Sequence, residues 1–176
     1  KISWAQNGVL FLDELPEFNR NVLETLREPL ENKKIAINRL NGSYIFPCNF
    51  MFIASMNPCP CGNYGDEEKE CKCTPVEIHR YLNKISGPLL DRIDLHIEVK
   101  RPKYEKISSR LKNETSEDNR ERVNKARKIQ VERYKKYNIY SNAELTPKLI
   151  LEFCELDKKG EELLKKAFEK MKLSVR

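Results

Sequence analysis

Asp13 and Glu14 stand directly after the apolar run Val9-Leu10-Phe11-Leu12. Two adjacent carboxylates at the end of a strand can divide the work of phosphoryl chemistry: one holds a Mg²⁺ ion and the other polarises a water. A second apolar run, Phe50 to Met56, ends in Asn57-Pro58. An amide there can orient a water or read a phosphate, although Asn-Pro is also an ordinary turn pair. Arg92 lies between the breaker Ser86-Gly87-Pro88 and the alternating segment Leu95 to Val99. It reads either as a surface salt-bridge partner or as a cation that stabilises phosphoryl charge on a neighbouring subunit. Cys59, Cys61, Cys71 and Cys73 form two C-x-C pairs within fifteen residues. Four thiolates can make a tetrahedral zinc site. The spacing departs from the usual C-x₂-C knuckle, reduced thiols are the alternative, and Cys48 and His79 are outside candidates. A disulfide reading needs an oxidising compartment, for which the sequence carries no signal.

The elements that must position these groups follow from periodicity and punctuation. Four consecutive apolar residues predict a strand over 9–12 buried on both faces, and open parallel sheets present ligands at the carboxyl ends of such strands. Phe18, Val22, Leu26 and Leu30, with Leu23 beside them, predict one helix over 17–31 that Pro29 ends or kinks. Lys34 to Arg39, a turn at Asn41-Gly42 and Ser43 to Phe46 predict a β-hairpin. Its Lys33, Lys34, Arg39 and Tyr44 can reach a nucleic acid or serve as a solvated face. Thr74-Pro75 opens a helix over 76–85 with Ile78, Leu82 and Ile85 on one side, and a strand is expected over 95–99 with His96 facing solvent.

Arg101-Pro102 marks a domain boundary, giving units 1–101 and 102–176. Beyond a polar linker, Ser116 caps a long helix from 117 to about 137 with Val123, Ala126 and Tyr134 on its apolar stripe. Helices over 148–156 and 158–171 follow, so the second unit is all-helical. The chain has 176 residues, 34% charged and 39% hydrophobic, with a net charge of +6. That basic excess permits nucleic-acid binding without specifying it. No apolar run of about 18 residues suggests a membrane span, and the first apolar run lacks the basic leader and cleavage site of a secretory signal. None of the six glycines fits the phosphate-cradling G-x-x-x-x-G-K-[ST] spacing. The expectation is a piece of a longer protein whose phosphate loop lies upstream.

The order of acid-tipped strand, helix, basic hairpin, amide-tipped strand, Cys loop, arginine and helical lid resembles the AAA+ ATPases of the magnesium-chelatase-like group. Within it the chain is most similar to the ComM-like, or YifB-like, competence protein family. The residues that carry this are GVLFLDELPEF (8–18), LREPLE (26–31), FIASMNPCPCG (52–62) and SGPLLDRIDLHIEV (86–99). The resemblance implies a partial α/β AAA+ core with a parallel sheet, an inserted β-hairpin and a Cys loop, followed by an all-helical lid. It implies Asp13 and Glu14 as the Walker B pair, with Asp13 on the magnesium of bound ATP and Glu14 as the base. It also implies Asn57 as sensor 1, Arg92 as a trans-acting arginine finger and Arg176 as the sensor 2 arginine. The hairpin resembles one that points toward the ring pore in related helicases.

Three functions compete. The first is a cytoplasmic, homo-hexameric, ATP-driven DNA helicase of the kind that drives branch migration during natural transformation, using ATP and Mg²⁺ and with Zn²⁺ at the cysteines. The second is a chelatase-type remodeller acting on a protein partner. The third is a non-enzymatic zinc module with a helical binding domain. Without a phosphate loop, the 176 residues alone are expected to bind ATP poorly and to hydrolyse little or none.

Overall fold

A computed structural model describes residues 2–100 and 114–171. The chain divides into two compact units, residues 1–102 and 103–176. Each is taken by itself.

In the first unit, β1 (Val9–Leu12) and β4 (Met51–Ala54) pair in parallel with Leu10 opposite Phe52 and Leu12 opposite Ala54. These four residues turn toward a core built on Leu15, Leu23, Leu26, Ile85 and Leu89. The opposite face of the same pair carries Val9, Phe11, Met51 and Ile53, all exposed. Burial on both faces, expected from the unbroken apolar run, is therefore corrected. The described residues cover this two-stranded sheet on one side only, so alternation shows in burial where it is absent from composition.

The helix expected over 17–31 is two helices. A 3₁₀ turn, Leu15–Glu17, leads to α1 (Arg20–Glu24), capped by the Asn19 side chain, and then to α2 (Arg27–Asn32). Pro29 explains the break. Its ring would clash with the carbonyl four residues back, at Thr25, in a continuous helix. The chain breaks at Thr25-Leu26 instead, and the Thr25 hydroxyl bonds back to the Val22 carbonyl at 2.6 Å. Pro29 then falls in the first turn of α2, where a missing N–H costs nothing. Leu23 and Leu26 are buried, while Phe18 and Val22, assigned to the same apolar face, are exposed.

Lys33 closes α2 in the left-handed region at φ 53° and hands the chain to a hairpin, β2 (Lys34–Arg39) and β3 (Gly42–Pro47). Arg39 pairs with Gly42, so Leu40 and Asn41 form the turn, one residue earlier than the expected Asn-Gly pair. Gly42 takes φ 144°, which only glycine adopts freely. Nearly the whole hairpin is exposed.

After the Cys loop, α3 (Pro75–Leu82) starts at a capping box formed by Thr74 and Glu77. Tyr81 and Ile85 are buried, whereas Leu82, expected on the packed side, is exposed. Ser86 caps the short α4 (Gly87–Leu90), whose Leu89 is fully buried. The expected strand over 95–99 forms no ladder among the described residues, and Leu95, Ile97 and Val99 are all exposed. Alternating sequence needs a neighbouring strand to become a strand. His96 is exposed as expected, its Nε2 3.0 Å from the Ile93 carbonyl.

In the second unit, α5 (Ser116–Tyr134) is capped by Thr115, which forms a capping box with Asp118, and Ser116 is the first helical residue rather than the cap. Val123, Ile129 and Val131 are exposed; Tyr134 is buried, and Phe153 of α6 (Pro147–Phe153) lies edge-on to it at 5.1 Å. The Tyr134 hydroxyl donates to Asn142 Oδ1 at 2.8 Å. The unit ends in α7 (Lys158–Met171), which leaves Leu163, Leu164 and Phe168 exposed. Residues 102–113 of the expected linker and the expected sensor 2 arginine, Arg176, lie outside the described residues, as does Arg101. Among the described residues no helix is long and apolar enough to cross a membrane.

Candidate functional site

The parallel register carries the chain past Leu12 and Ala54 so that Asp13 and Ser55 leave the sheet side by side. The Ser55 hydroxyl donates to Asp13 Oδ1, and the Glu14 backbone N–H donates to the same oxygen at 3.1 Å. Two backbone bonds lock the strand ends: Ser55 N–H to the Leu12 carbonyl at 3.0 Å and Leu15 N–H to the Ser55 carbonyl at 2.9 Å. Between them Glu14 adopts φ 54° and ψ 51°. A non-glycine residue held there stores about 1–3 kcal/mol of strain, which is typical of functional positions. Both carboxylates are exposed. Asp13 thus has one oxygen oriented by two donors and a second oxygen that neither donor uses. This suits a hard cation, which takes oxygen ligands.

Asn57 is exposed three residues beyond β4. Burial pushes the hydroxyl of buried Tyr81 above its ordinary range, against the influence of the Asn57 backbone N–H, and Glu17, Glu14 and Cys59 add to the rise. Neither Ser55 nor Tyr81 was picked out from the sequence. The signal for Ser55 was its place level with Asp13 once two parallel strands are assumed; Tyr81 offered none beyond a polar-tipped aromatic in a helix.

The four cysteines meet. Cys59 and Cys61 sulfurs are 3.4 Å apart, Cys59 and Cys71 3.7 Å, Cys61 and Cys71 3.6 Å, and all four with Cys73 lie within 4.8 Å of one another. A tetrahedral zinc with Zn–S bonds of about 2.3 Å sets its sulfurs about 3.8 Å apart. All six cysteines are free thiols. The loop is shaped for this. Gly62 and Gly65 take φ 79° and 81°, Gly62 N–H bonds the Cys59 carbonyl at 3.0 Å, and Asp66 Oδ1 accepts from Glu68 and Lys69 N–H at 2.8 and 3.0 Å. The backbone N–H groups of Asn63 and then Lys72 favour the Cys61 thiolate and, with the Cys59 thiol, draw Cys61 down to about 6. Burial and the neighbouring thiols push Cys73 up to about 12, against the Cys61 N–H. The Cys73 N–H favours the Cys71 thiolate, but burial and the adjacent thiols carry Cys71 upward overall. Negative charge developing among crowded sulfurs is what a bound cation balances. Cys48 is buried elsewhere, its N–H on the Lys33 carbonyl at 2.9 Å, and His79 bonds Asn83 at 2.8 Å, so neither joins the four.

Arg92 is turned onto its own unit. Its Nη2 pairs with Glu31 at the end of α2, its Nη1 donates to the Pro88 carbonyl at 2.6 Å, and its side chain is 15% exposed. The hairpin residues do not all share one face. The register places Arg39 and Tyr44 on one face with Ile35, Ile37 and Phe46, and Lys34 on the other with Ala36 and Ile45. Lys33 belongs to the hairpin's base. A second basic surface, a shallow groove lined by Arg20, His79, Arg80 and Lys84, was not read from the sequence because α1 supplies one part and α3 with the residues just after it the rest.

An α/β unit with aligned acid- and amide-tipped parallel strands, followed by helices, is the architecture of a partial AAA+ core and its lid. The family profile "Magnesium chelatase, subunit ChlI" matches residues 1–107, and "Magnesium chelatase, subunit ChlI C-terminal" matches residues 113–176. The chain belongs to the magnesium chelatase subunit ChlI family. It is 48% identical over 177 aligned positions to "Competence protein ComM" of Haemophilus influenzae, covering 100% of this chain and 34% of that protein. It is 40% identical over 177 positions to "Uncharacterized protein YifB" of Escherichia coli, again covering 100% of this chain and 34% of the relative. It is 37% identical over 149 positions to "Uncharacterized protein Rv2897c" of Mycobacterium tuberculosis, covering 85% of this chain and 29% of the relative. The chain thus spans about a third of the length of the curated relatives it matches, 34% in the two cases of full coverage.

Proposed function

We propose that these residues are the Walker B-to-lid part of a cytoplasmic, ATP-hydrolysing, hexameric AAA+ motor that moves DNA. The observation that carries the reading is the Asp13–Ser55 hydrogen bond at the aligned ends of β1 and β4, with Glu14 held left-handed beside it. Asp13 presents its second oxygen to the magnesium of a bound nucleotide. Glu14 accepts the proton of an attacking water, and Asn57 orients that water from the neighbouring strand end. Arg92 supplies positive charge to the nucleotide of an adjacent subunit, and Arg176 does so from the lid of its own. ATP supplies the transferable phosphoryl group, and Mg²⁺ neutralises its charge. The phosphate cradle must come from residues outside these 176, since the sequence holds no G-x-x-x-x-G-K-[ST] loop, and we expect little hydrolysis from this chain alone.

The four cysteines hold a structural zinc that stiffens a loop with little apolar content of its own. Lys33, Lys34, Arg39 and Tyr44 on the exposed hairpin contact the DNA, in agreement with the +6 net charge and with the name of the ComM relative. A second reading, remodelling of a protein partner, draws support from the exposed apolar residues Leu40 and Ile45 on the same hairpin.

The test is the ATPase rate of the full-length protein with and without branched DNA, beside its Glu14→Gln variant. Stimulation by DNA that vanishes in the variant supports the motor. A Glu14-dependent rate indifferent to DNA favours the protein remodeller, and no hydrolysis at all removes the Walker B assignment.

A further inference from the structure

Arg92 is fastened at two points, each fixed by the core. Glu31 is in the last turn of α2, a helix anchored by buried Pro29. The Pro88 carbonyl belongs to α4, anchored by fully buried Leu89, and the Arg92 backbone N–H bonds the Leu89 carbonyl at 3.1 Å. The two side-chain contacts use one hydrogen on each terminal nitrogen of the guanidinium. The second hydrogen on each is not taken by these contacts, and the buried Nε has no hydrogen-bond partner among the described residues. An arginine in water has many rotamers, and ordering it at the moment of contact weakens whatever it binds. Here the planar fork is already ordered, in one orientation, by an acid and a carbonyl from two different helices.

We propose that Glu31 is the positioning residue for Arg92: it holds the guanidinium in the orientation from which its remaining N–H groups meet phosphate oxygens on a neighbouring subunit. The inference rests on the reading of Arg92 as the trans-acting cation. Glu31 touches no nucleotide in this account; it acts through Arg92. The ion pair also explains why an acid closes the segment Leu26 to Glu31, where helix propensity alone would accept many residues.

The experiment uses the full-length protein and four variants, Glu31→Ala, Glu31→Gln, Arg92→Ala and the Glu31→Ala/Arg92→Ala pair, each checked for folding and ring assembly. Arg92→Ala is expected to lower kcat about 10³-fold or more. Glu31→Ala should lower kcat about 10- to 100-fold with little change in KM for ATP, as expected of a misplaced group. Glu31→Gln, which keeps an accepting oxygen, should recover part of that loss, and Glu31→Ala should cost nothing further once Arg92 is gone. A second readout needs no nucleotide: phenylglyoxal modification of Arg92, followed by peptide mass spectrometry, should run several-fold faster in Glu31→Ala. An inactive Arg92→Ala beside a Glu31→Ala of unchanged or raised kcat would overturn the positioning role alone. So would equal losses from Glu31→Ala with and without Arg92, or unchanged phenylglyoxal labelling. A fully active Arg92→Ala would instead remove the trans-acting reading, and the positioning role with it. If Glu31→Ala fails to fold, Glu31→Gln carries the same comparisons, with smaller losses expected.

Discussion

The Ser55 hydroxyl donates to the Asp13 carboxylate across the ends of two parallel strands, joining residues 42 apart in the chain. The bond fixes the rotamer of Asp13 and commits one of its oxygens, which determines the oxygen left for a cation. Ser55→Ala should therefore cost about 0.5–1.5 kcal/mol of stability, the usual net worth of one hydrogen bond. In the full-length protein it should lower ATP turnover about tenfold by loosening Asp13, with Ser55→Thr close to wild type. Denaturant melts and steady-state kinetics check the two parts, and wild-type turnover in Ser55→Ala would remove Ser55 from the site.

Zinc content is the most direct check on the cysteine cluster. Native mass spectrometry of freshly purified protein should find one zinc per chain. Cys59→Ser, which removes the fully buried sulfur, should abolish it, while Cys48→Ser and Cys154→Ser leave it in place. Chelation should lower the melting temperature, because metal binding is also folding free energy. Metal-free protein with an unchanged melting temperature would leave four reduced thiols and no metal.

On the hairpin, Arg39 and Tyr44 share a face and Lys34 lies on the other. If single-stranded DNA runs along the first face, Tyr44→Ala should weaken binding by about 1–3 kcal/mol, the worth of one stacked base, while Tyr44→Phe keeps most of it. Arg39→Ala should reduce the salt dependence of binding by about one phosphate contact, and Lys34→Ala should do less. Equal effects from all three in fluorescence-anisotropy titrations would mean that the hairpin acts only as a diffuse positive charge.

The α3 helix carries Tyr81 and begins at a capping box whose Glu77 carboxylate is held below its ordinary value of 4.5 by the Thr74 backbone N–H and then by the Thr74 hydroxyl. A depressed carboxylate contributes stability above its unfolded pKa and loses it as pH falls through the folded one. Wild type should thus exceed Glu77→Gln in stability at neutral pH, with the gap closing as pH drops below about 4.5. Urea melts of both proteins at pH 7 and at pH 3 measure the gap; a difference that stays constant would mean that the cap owes nothing to the carboxylate's charge.

Much of this was legible without coordinates. Strand β1 with its acid tip, the hairpin strands, strand β4, the helix opened by Thr74-Pro75 and the helix over 158–171 each rest on signals contained in a few consecutive residues. So did the four cysteines, although their convergence was not certain from C-x-C spacing. The misses are equally specific. Pro29 marked an interruption of the 17–31 helix, but its place, at Thr25-Leu26, follows from the clash of the Pro29 ring with the Thr25 carbonyl four residues back. The strand expected over 95–99 needed a partner that the described residues do not supply. Leu82, expected on the packed side, is exposed while Tyr81 is buried, because helix phase relative to the core is set by what the helix packs against.

The sequence by itself determined the order of elements, the chemistry each could bring and the family, because turn residues, caps, strand-end acids and motif spacing act over a few residues. The tertiary structure alone decided that Ser55 orients Asp13, that Tyr81 is buried, that Arg39 and Tyr44 share a face and that Glu31 holds Arg92. Glu31 and Arg92 are 61 residues apart in the chain. Nothing local relates them; they meet because α2 and α4 pack on the same core, and the energy that chooses this meeting is the burial of Leu26, Leu89 and their neighbours.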